Sequence, residues 1–277
     1  YYHYTTSDGL ASSTVFDIMQ DKDGFIWFAT LNGISRFDGK RFTTFRTNDG
    51  LNSNAIISLA EGDKGELYIG NYEKGINVLR NGRIENYCSE IDGKSFATSY
   101  LLLVPSGKDE HKLYAYRSWG KINVISETIP AGRFNYSISP SPVQVNKLET
   151  LPDGTVIALT ETGLFNFQND AFAKLHISGF ADTAVYCLTT GKDSSYFIGT
   201  KGMIYRIQNN SVIRRYKINL SGDNSIPAIM RDQNNNIWFS IMNRGFFLIP
   251  NGSDKIIDIG SKMDLQNTLV NNYLEDN

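Results

Sequence analysis

Cysteine, histidine and long apolar runs are all scarce in this chain of 277 residues. The two cysteines, Cys88 and Cys187, stand far apart and in no motif. Two free thiols are expected, with one distant disulfide as the alternative. The three histidines, His3, His111 and His176, form no H-x-x-x-H or H-E-x-x-H pair, so they supply no zinc site. His3 and His176 read as exposed residues on or beside outer strands. No stretch of about 18 apolar residues exists, so no segment reads as a membrane helix. The opening residues do not read as a leader, so an export signal is expected to have been removed or to lie outside this sequence. An excess of positive charge is also missing. Lys and Arg total 27 against 29 for Asp and Glu, a formal net charge of −2. Nucleic acid is therefore not an expected partner, because phosphate binding needs a basic face. There is no P-loop, no G-x-S-x-G elbow and no long stretch of 3.6-residue periodicity.

Aromatics and glycine are plentiful. Phe (16), Tyr (15) and Gly (24) favour strands joined by tight turns. One phrase recurs along the chain: "FIWFAT" (25–30), "ELYIGN" (66–71), "KLYAYR" (112–117), "TVIALT" (155–160), "SYFIGT" (195–200) and "NIWFSI" (236–241). Its matched positions are Trp27, Tyr68, Tyr114, Ile157, Phe197 and Trp238, spaced 41, 46, 43, 40 and 41 apart. A period near 40–45 with several strands per repeat predicts the blades of a β-propeller.

One repeat can be read strand by strand. "VFDIMQ" (15–20) alternates apolar and polar, and "DKDG" (21–24) is a turn with Gly where φ becomes positive. "FIWFAT" is nearly continuous apolar, as a strand covered on both faces should be. "LNG" (31–33) turns, "ISRFD" (34–38) alternates, "GK" turns again, and "RFTTF" (41–45) is a more polar outer strand. A single blade cannot bury both faces, so each must stack on its neighbours, with the matched aromatic filling the space between them. The expected blades are 14–46, 54–88, 96–138, 143–177, 183–217 and 225–259, in one domain over 1–277. Residues 1–13 align with 42–54 at an offset of 41. A partial seventh blade is therefore expected from an outer strand over 1–6 and an inner strand over 268–277.

The segment "SDGLASSTVFDIMQDKDGFIWFATLNGISRFDGKRFTTF" (7–45) resembles the opening repeat of the two-component regulator propeller family. That family carries a "DGL" turn, then D-x-x-G-x-I-W-x-G-T, then a G-L/I-x-R-F/Y-D-G close. Residues 49–79 match as well, 228–249 more loosely, and 95–180 mainly by spacing. Ala29 stands where the family has Gly, and Asn234 to Asn236 stand in place of its Gly-bearing turn. The resemblance implies the periplasmic ectodomain of a membrane-bound, often hybrid, histidine kinase that senses oligosaccharides. It also implies a second propeller and a downstream kinase in the same polypeptide. A homodimer is a further expected partner state. No kinase residues occur here, so phosphotransfer and ATP binding are not expected of these residues, and no cofactor is expected.

The acidic residues form no catalytic constellation. "DKDG" and "DQNNN" resemble calcium loops, but the twelfth position holds Asn32 or Asn243 rather than Glu, which favours simple turns. Asp17, Glu149, Glu161 and Asp232 are candidate carboxylates, yet no spacing pairs them as a glycosidase would require. Ligand contacts are expected instead from loops joining second and third strands. These supply Tyr72, Lys74, Arg117, Trp119, Lys121, Lys201, Asn243 and Arg244. Aromatic plates with convergent donors suit sugar rings, and Arg and Lys suit acidic ones. The competing expectations are a docking propeller without its own ligand, or a propeller lyase or other glycan-processing enzyme.

Overall fold

The computed structural model describes residues 3–91, 93–105, 111–116, 122–127, 134–139, 144–168, 171–191, 193–263 and 272–275. Their strands form six four-stranded antiparallel sheets, each a meander of consecutive strands. The first comprises β1 (Val15–Gln20), β2 (Ile26–Thr30), β3 (Gly33–Phe37) and β4 (Phe42–Phe45). The second comprises β5 (Ile56–Glu61), β6 (Leu67–Asn71), β7 (Ile76–Arg80) and β8 (Arg83–Cys88). A two-strand hairpin, β9 (Glu90–Ile91) and β10 (Lys94–Ser95), precedes the third sheet. That sheet holds β11 (Tyr100–Pro105), β12 (His111–Tyr116), β13 (Ile122–Glu127) and β14 (Phe134–Ser139). The fourth has β15 (Val145–Thr150), β16 (Val156–Thr160), β17 (Gly163–Gln168) and β18 (Ala171–Lys174). The fifth has β19 (Cys187–Thr190), β20 (Tyr196–Gly199), β21 (Met203–Gln208) and β22 (Ser211–Lys217). The sixth has β23 (Ile229–Arg231), β24 (Ile237–Ile241), β25 (Gly245–Ile249) and β26 (Ile257–Asp258).

The chain divides into two compact units, 1–140 with 276–277, and 141–275. In the first unit, β5 packs on β1 and β2, and β11 packs on β5 and β6. In the second, β23 packs on β19 and β20. Within each unit, apolar clusters fill the spaces between successive sheets. Trp27, Ile34, Leu59 and Ile69 join the first and second, and Tyr68, Val78 and Leu113 join the second and third. Ile157, Leu188 and Ile198 join the fourth and fifth; Phe197, Ile226 and Phe239 join the fifth and sixth. Five of the six matched positions are buried, as spacer residues should be: Trp27, Tyr68, Tyr114, Ile157 and Phe197. Trp238 is only partly buried.

The turns explain the sequence punctuation. Gly24 takes φ 86° in "DKDG", and Asn235 takes φ 65° in the Gly-free "QNNN". Asn is among the few residues with a Cβ that adopt this region readily. Gly33 is required twice over: its φ is 114°, and a Cβ there would meet the Phe45 carbonyl at 2.4 Å. Both thiols are free, Cys187 buried and Cys88 half-buried. His3 and His176 are exposed, His176 just beyond β18.

The partial seventh sheet is a correction. Within 1–6 the described residues form no strand, and Thr6–Asp8 is a single 3-10 turn. An outer strand needs an inner neighbour, as β4 has β3, and residues 3–6 have none among the described residues; what remains is the local turn. Asp8 accepts from the Thr5 amide at 2.7 Å, and Thr5 Oγ1 accepts from the Ser7 amide at 3.2 Å. The offset of 41 nevertheless survives in three dimensions. Asp49 accepts from the Arg46 amide at 2.8 Å, and Gly9 and Gly50 close both turns at φ 103° and 109°. Tyr4, aligned with Phe45, packs on Phe37 and Phe42 at ring distances of 4.9 and 5.6 Å. At the other end residues 272–275 are described and carry no ladder; 264–271, 276 and 277 lie outside the described residues.

Candidate ligand groove and polar links between sheets

The acidic turns first decide what chemistry is available. Asp21 accepts from the amides of Asp23 and Phe25 and from the Trp27 indole at 2.6 Å. Asp232 accepts from the Asn236 amide and side chain, and from the Trp238 indole at 2.9 Å. Burial pushes the Asp232 carboxyl up, but the indole and Asn236 outweigh it and hold it below the ordinary carboxylate range. These carboxylates lock a turn to an aromatic, in keeping with the turn reading over the calcium reading. Asp17 is likewise engaged, accepting from the Leu59 amide of the next sheet at 2.9 Å. Glu149 pairs with Lys147 at 2.6 Å.

In the fifth sheet a different link stands in. Phe197 has no N–H to donate, and two guanidiniums, Arg206 and Arg231, lie 5.6 and 5.7 Å from its ring. Asp193 joins them, accepting from Arg206 at 2.5 Å and from Arg231 at 3.0 Å. Hydrogen bonds from Ser195, then Arg231, hold the Asp193 carboxyl far below its ordinary value against the pull of burial. This cluster ties β21 to β23 through one carboxylate shared by two guanidiniums.

A groove of about 490 Å³ lies between the ends of the fifth and sixth sheets. Ile218, Phe247 and Ile256 give it an apolar floor, and Lys217, Arg244 and Asp258 give it a charged rim. Arg244 is anchored by Ser221, whose carbonyl and hydroxyl accept from its guanidinium. Asp258 accepts from the Ser261 amide at 2.8 Å. The Lys217 ammonium has no protein partner among the described residues. A concave apolar floor with a few fixed polar groups suits a small organic ligand, and two cations against one carboxylate favour one with acidic character.

The eight expected contact residues fare unequally. Arg244 lines the groove. Asn243, at φ 58°, and Lys201, bridged to Ser225, are exposed but not part of its lining. Tyr72 and Lys74 are exposed in the other unit, where the Tyr72 amide donates to the Ala55 carbonyl and the Lys74 carbonyl accepts from Asn52. Arg117, Trp119 and Lys121 lie outside the described residues.

Residues 9–32 match the two component regulator propeller family. The chain carries that family's repeat. Histidine kinase P4 of Formosa agariphila is 47% identical over 45 residues, which are 16% of this chain and 3% of the kinase. Two solved structures from B. thetaiotaomicron share the fold. One is the extracellular domain of a protein assigned as the hybrid two component system BT4673: TM-score 0.70, 18% identity, covering 93% of this chain and 37% of that one. The other is its counterpart from BT3049: TM-score 0.61, 20% identity, covering 91% and 42%. The chain thus spans well under half the length of these relatives. Its fold is an all-β propeller of four-stranded antiparallel blades.

In propeller terms, the turn-to-aromatic link and most of the groove lining escape a reading of loops alone. Asp21 and Asp232 each precede a Trp by six residues, a spacing visible in both "DKDGFIW" and "DQNNNIW". Lys217 ends the outer strand of the fifth blade and Asn219 and Leu220 follow it, while Asp258 and Ser261 sit at the end of the sixth. They meet only because the two blades stack. One signal was available: Leu220 is an exposed apolar residue in a polar connection.

Proposed function

We propose that this chain is the extracytoplasmic, ligand-sensing propeller of a membrane-bound, hybrid two-component histidine kinase, facing the periplasm. It carries no catalysis of its own. It recognises an oligosaccharide and passes occupancy to a kinase in the same polypeptide, through a second propeller or a partner subunit. The observation that carries this reading is the family repeat at 9–32, supported by its likeness to a histidine kinase over 45 residues. The groove beside Arg244 is the proposed ligand site. A ligand signals only through unequal affinity for two conformations, so its binding here is linked to the arrangement of the neighbouring domains.

The domain is proposed as one propeller of six blades. Residues 272–275 dock on the sixth of them without forming a ladder. The Gln233 amide donates to both Glu275 oxygens at 3.1 and 2.9 Å, as the Lys22 amide donates to Glu61 at 2.9 Å. Glu61 ends the first strand of the second blade, so Glu275 holds the matching place beyond the sixth. Calorimetric titration with neutral and acidic oligosaccharides tests the sensing reading, with Arg244→Ala as the control. Binding lost in R244A, in a protein that still unfolds cooperatively, is the expected result. Turnover of an oligosaccharide by the purified chain would overturn the non-catalytic reading.

A further inference from the structure

A second cleft, of about 270 Å³, lies between the fourth and fifth blades, at the opposite strand ends from the Arg244 groove. Leu151 and Pro152, in the β15–β16 turn, form its apolar wall. Tyr196, the first residue of β20, lines it from inside the core. Its ring is 6% exposed, packed in the cluster with Ile157, Leu188 and Ile198. The Tyr196 hydroxyl is enclosed and has no hydrogen-bond partner. Burial pushes this phenol up to about 12, so it stays protonated and remains a donor. A buried donor without a partner is costly, and calls for a water, an ion or a ligand group.

The rest of the lining says which. Asn209 and Asn210 turn the β21–β22 hairpin at φ 50° and 54°. Their backbone carbonyls are used, by Ser211 and Ser178, but their side-chain amides have no protein partner among the described residues. Asp153 accepts from the Thr155 amide at 2.9 Å, and hydrogen bonds from Thr155 hold its carboxyl below the ordinary value. It is the charged group of the described lining, and no described cation balances it. Anions are therefore disfavoured. The cleft is just under the range of about 300 Å³ and above typical of drug-sized ligands, which leaves room for one small ring.

We propose that this cleft binds a single uncharged polyol ring, a monosaccharide or the end of a neutral glycan. The ring lies against Pro152 and Leu151, and its hydroxyls are taken by the Asn209 and Asn210 amides and the Tyr196 phenol. The two exposed amides are the movable wall, and their displacement opens the phenol to an incoming hydroxyl. This site is separate from the Arg244 groove and does not rest on the sensing proposal.

The test uses the full chain, with D-glucose, D-galactose and myo-inositol as probes and D-glucuronate as the charged control. At least one uncharged probe should raise the melting temperature of the wild type and of R244A alike, while glucuronate should not. Tyr196→Phe should leave the ligand-free melting temperature unchanged or higher, since it removes an orphaned donor, and should lose the probe-induced shift. Asn210→Ala should weaken the shift. The proposal is overturned if no probe shifts the wild type, which leaves a water pocket only. It is equally overturned if Y196F keeps the full shift, or if glucuronate binds as well as the uncharged probes.

Discussion

The first and sixth blades carry the same polar link with different outcomes for the aromatic it holds. Asp21 and Asp232 grip the indoles of Trp27 and Trp238 at 2.6 and 2.9 Å. Trp27 is 3% exposed, stacked on Phe45 at 5.8 Å and covered by Leu59, Leu67 and Ile69 from the second blade. Trp238 is only partly buried, and its nearest ring partner, Phe246, stands at 6.5 Å. The link is local and forms wherever the six-residue spacing occurs. Burial is supplied by the next blade. In a repeat protein these are separate contributions, one intrinsic to the unit and one belonging to the interface.

That separation predicts unequal costs for equal substitutions. Trp27→Ala should destabilise the chain by about 3–5 kcal/mol, the usual range for a large aromatic removed from a packed interior. Trp238→Ala should cost roughly half as much, because part of its surface already meets water. Urea unfolding midpoints read both. Equal losses would show that the interface is not what distinguishes them.

Cutting the link itself should have the opposite symmetry. Asp21→Ala and Asp232→Ala each strand an indole N–H that bonded to a charged acceptor, a loss of about 1.5–3 kcal/mol apiece. Because the link is local, the two should fall close together. The pH dependence follows from Asp232, whose carboxyl lies below its ordinary value. A depressed group contributes stability that is fully present above the unfolded value of about 3.9. That stability is lost as pH falls through the lower, folded value. Asp232→Asn should therefore flatten part of the acid limb of a melting-temperature profile below about pH 4. An unaltered limb would mean that the carboxylate is not held by the indole in solution.

The blade period was legible because its signals are local: two-residue alternation, turn residues, and one aromatic or aliphatic spacer per repeat. The outer strand expected over 1–6 failed for a non-local reason. Its residues align with β4 and lead into the same capped 3-10 turn, but β4 is held by its ladder with β3, and residues 3–6 have no such neighbour among the described residues. Arg244 was found because it sits in a turn, whereas Lys217, Phe247 and Asp258 are brought to it by the stacking of two blades, which no single repeat encodes. Tyr196 was hidden differently. It lies one residue before the matched Phe197 and reads as one more strand aromatic, and only the packed core reveals that its hydroxyl has no partner.

The smallest expected effect concerns the acidic residue that caps each of the two turns from the following segment. Glu61 accepts from the Lys22 amide, and Glu275 from the Gln233 amide. Such partly exposed hydrogen bonds contribute about 0.5–1.5 kcal/mol, so Glu61→Ala and Glu275→Ala should each change stability little. Their local consequences should differ. Glu61 ends a strand held by the β5–β6 ladder, so its blade stays in place without it. Residues 272–275 have no ladder; besides Glu275 they are seated by Tyr273, a half-buried phenol that burial pushes up, and by the half-buried Leu274. Amide exchange separates the two cases. In E61A only the Lys22 amide should lose protection. In E275A protection should fall at Gln233 and also at Tyr273 and its neighbours, as the segment leaves its seat. If E275A exposes Gln233 alone, Tyr273 and Leu274 are sufficient to dock this segment and the acidic cap is incidental.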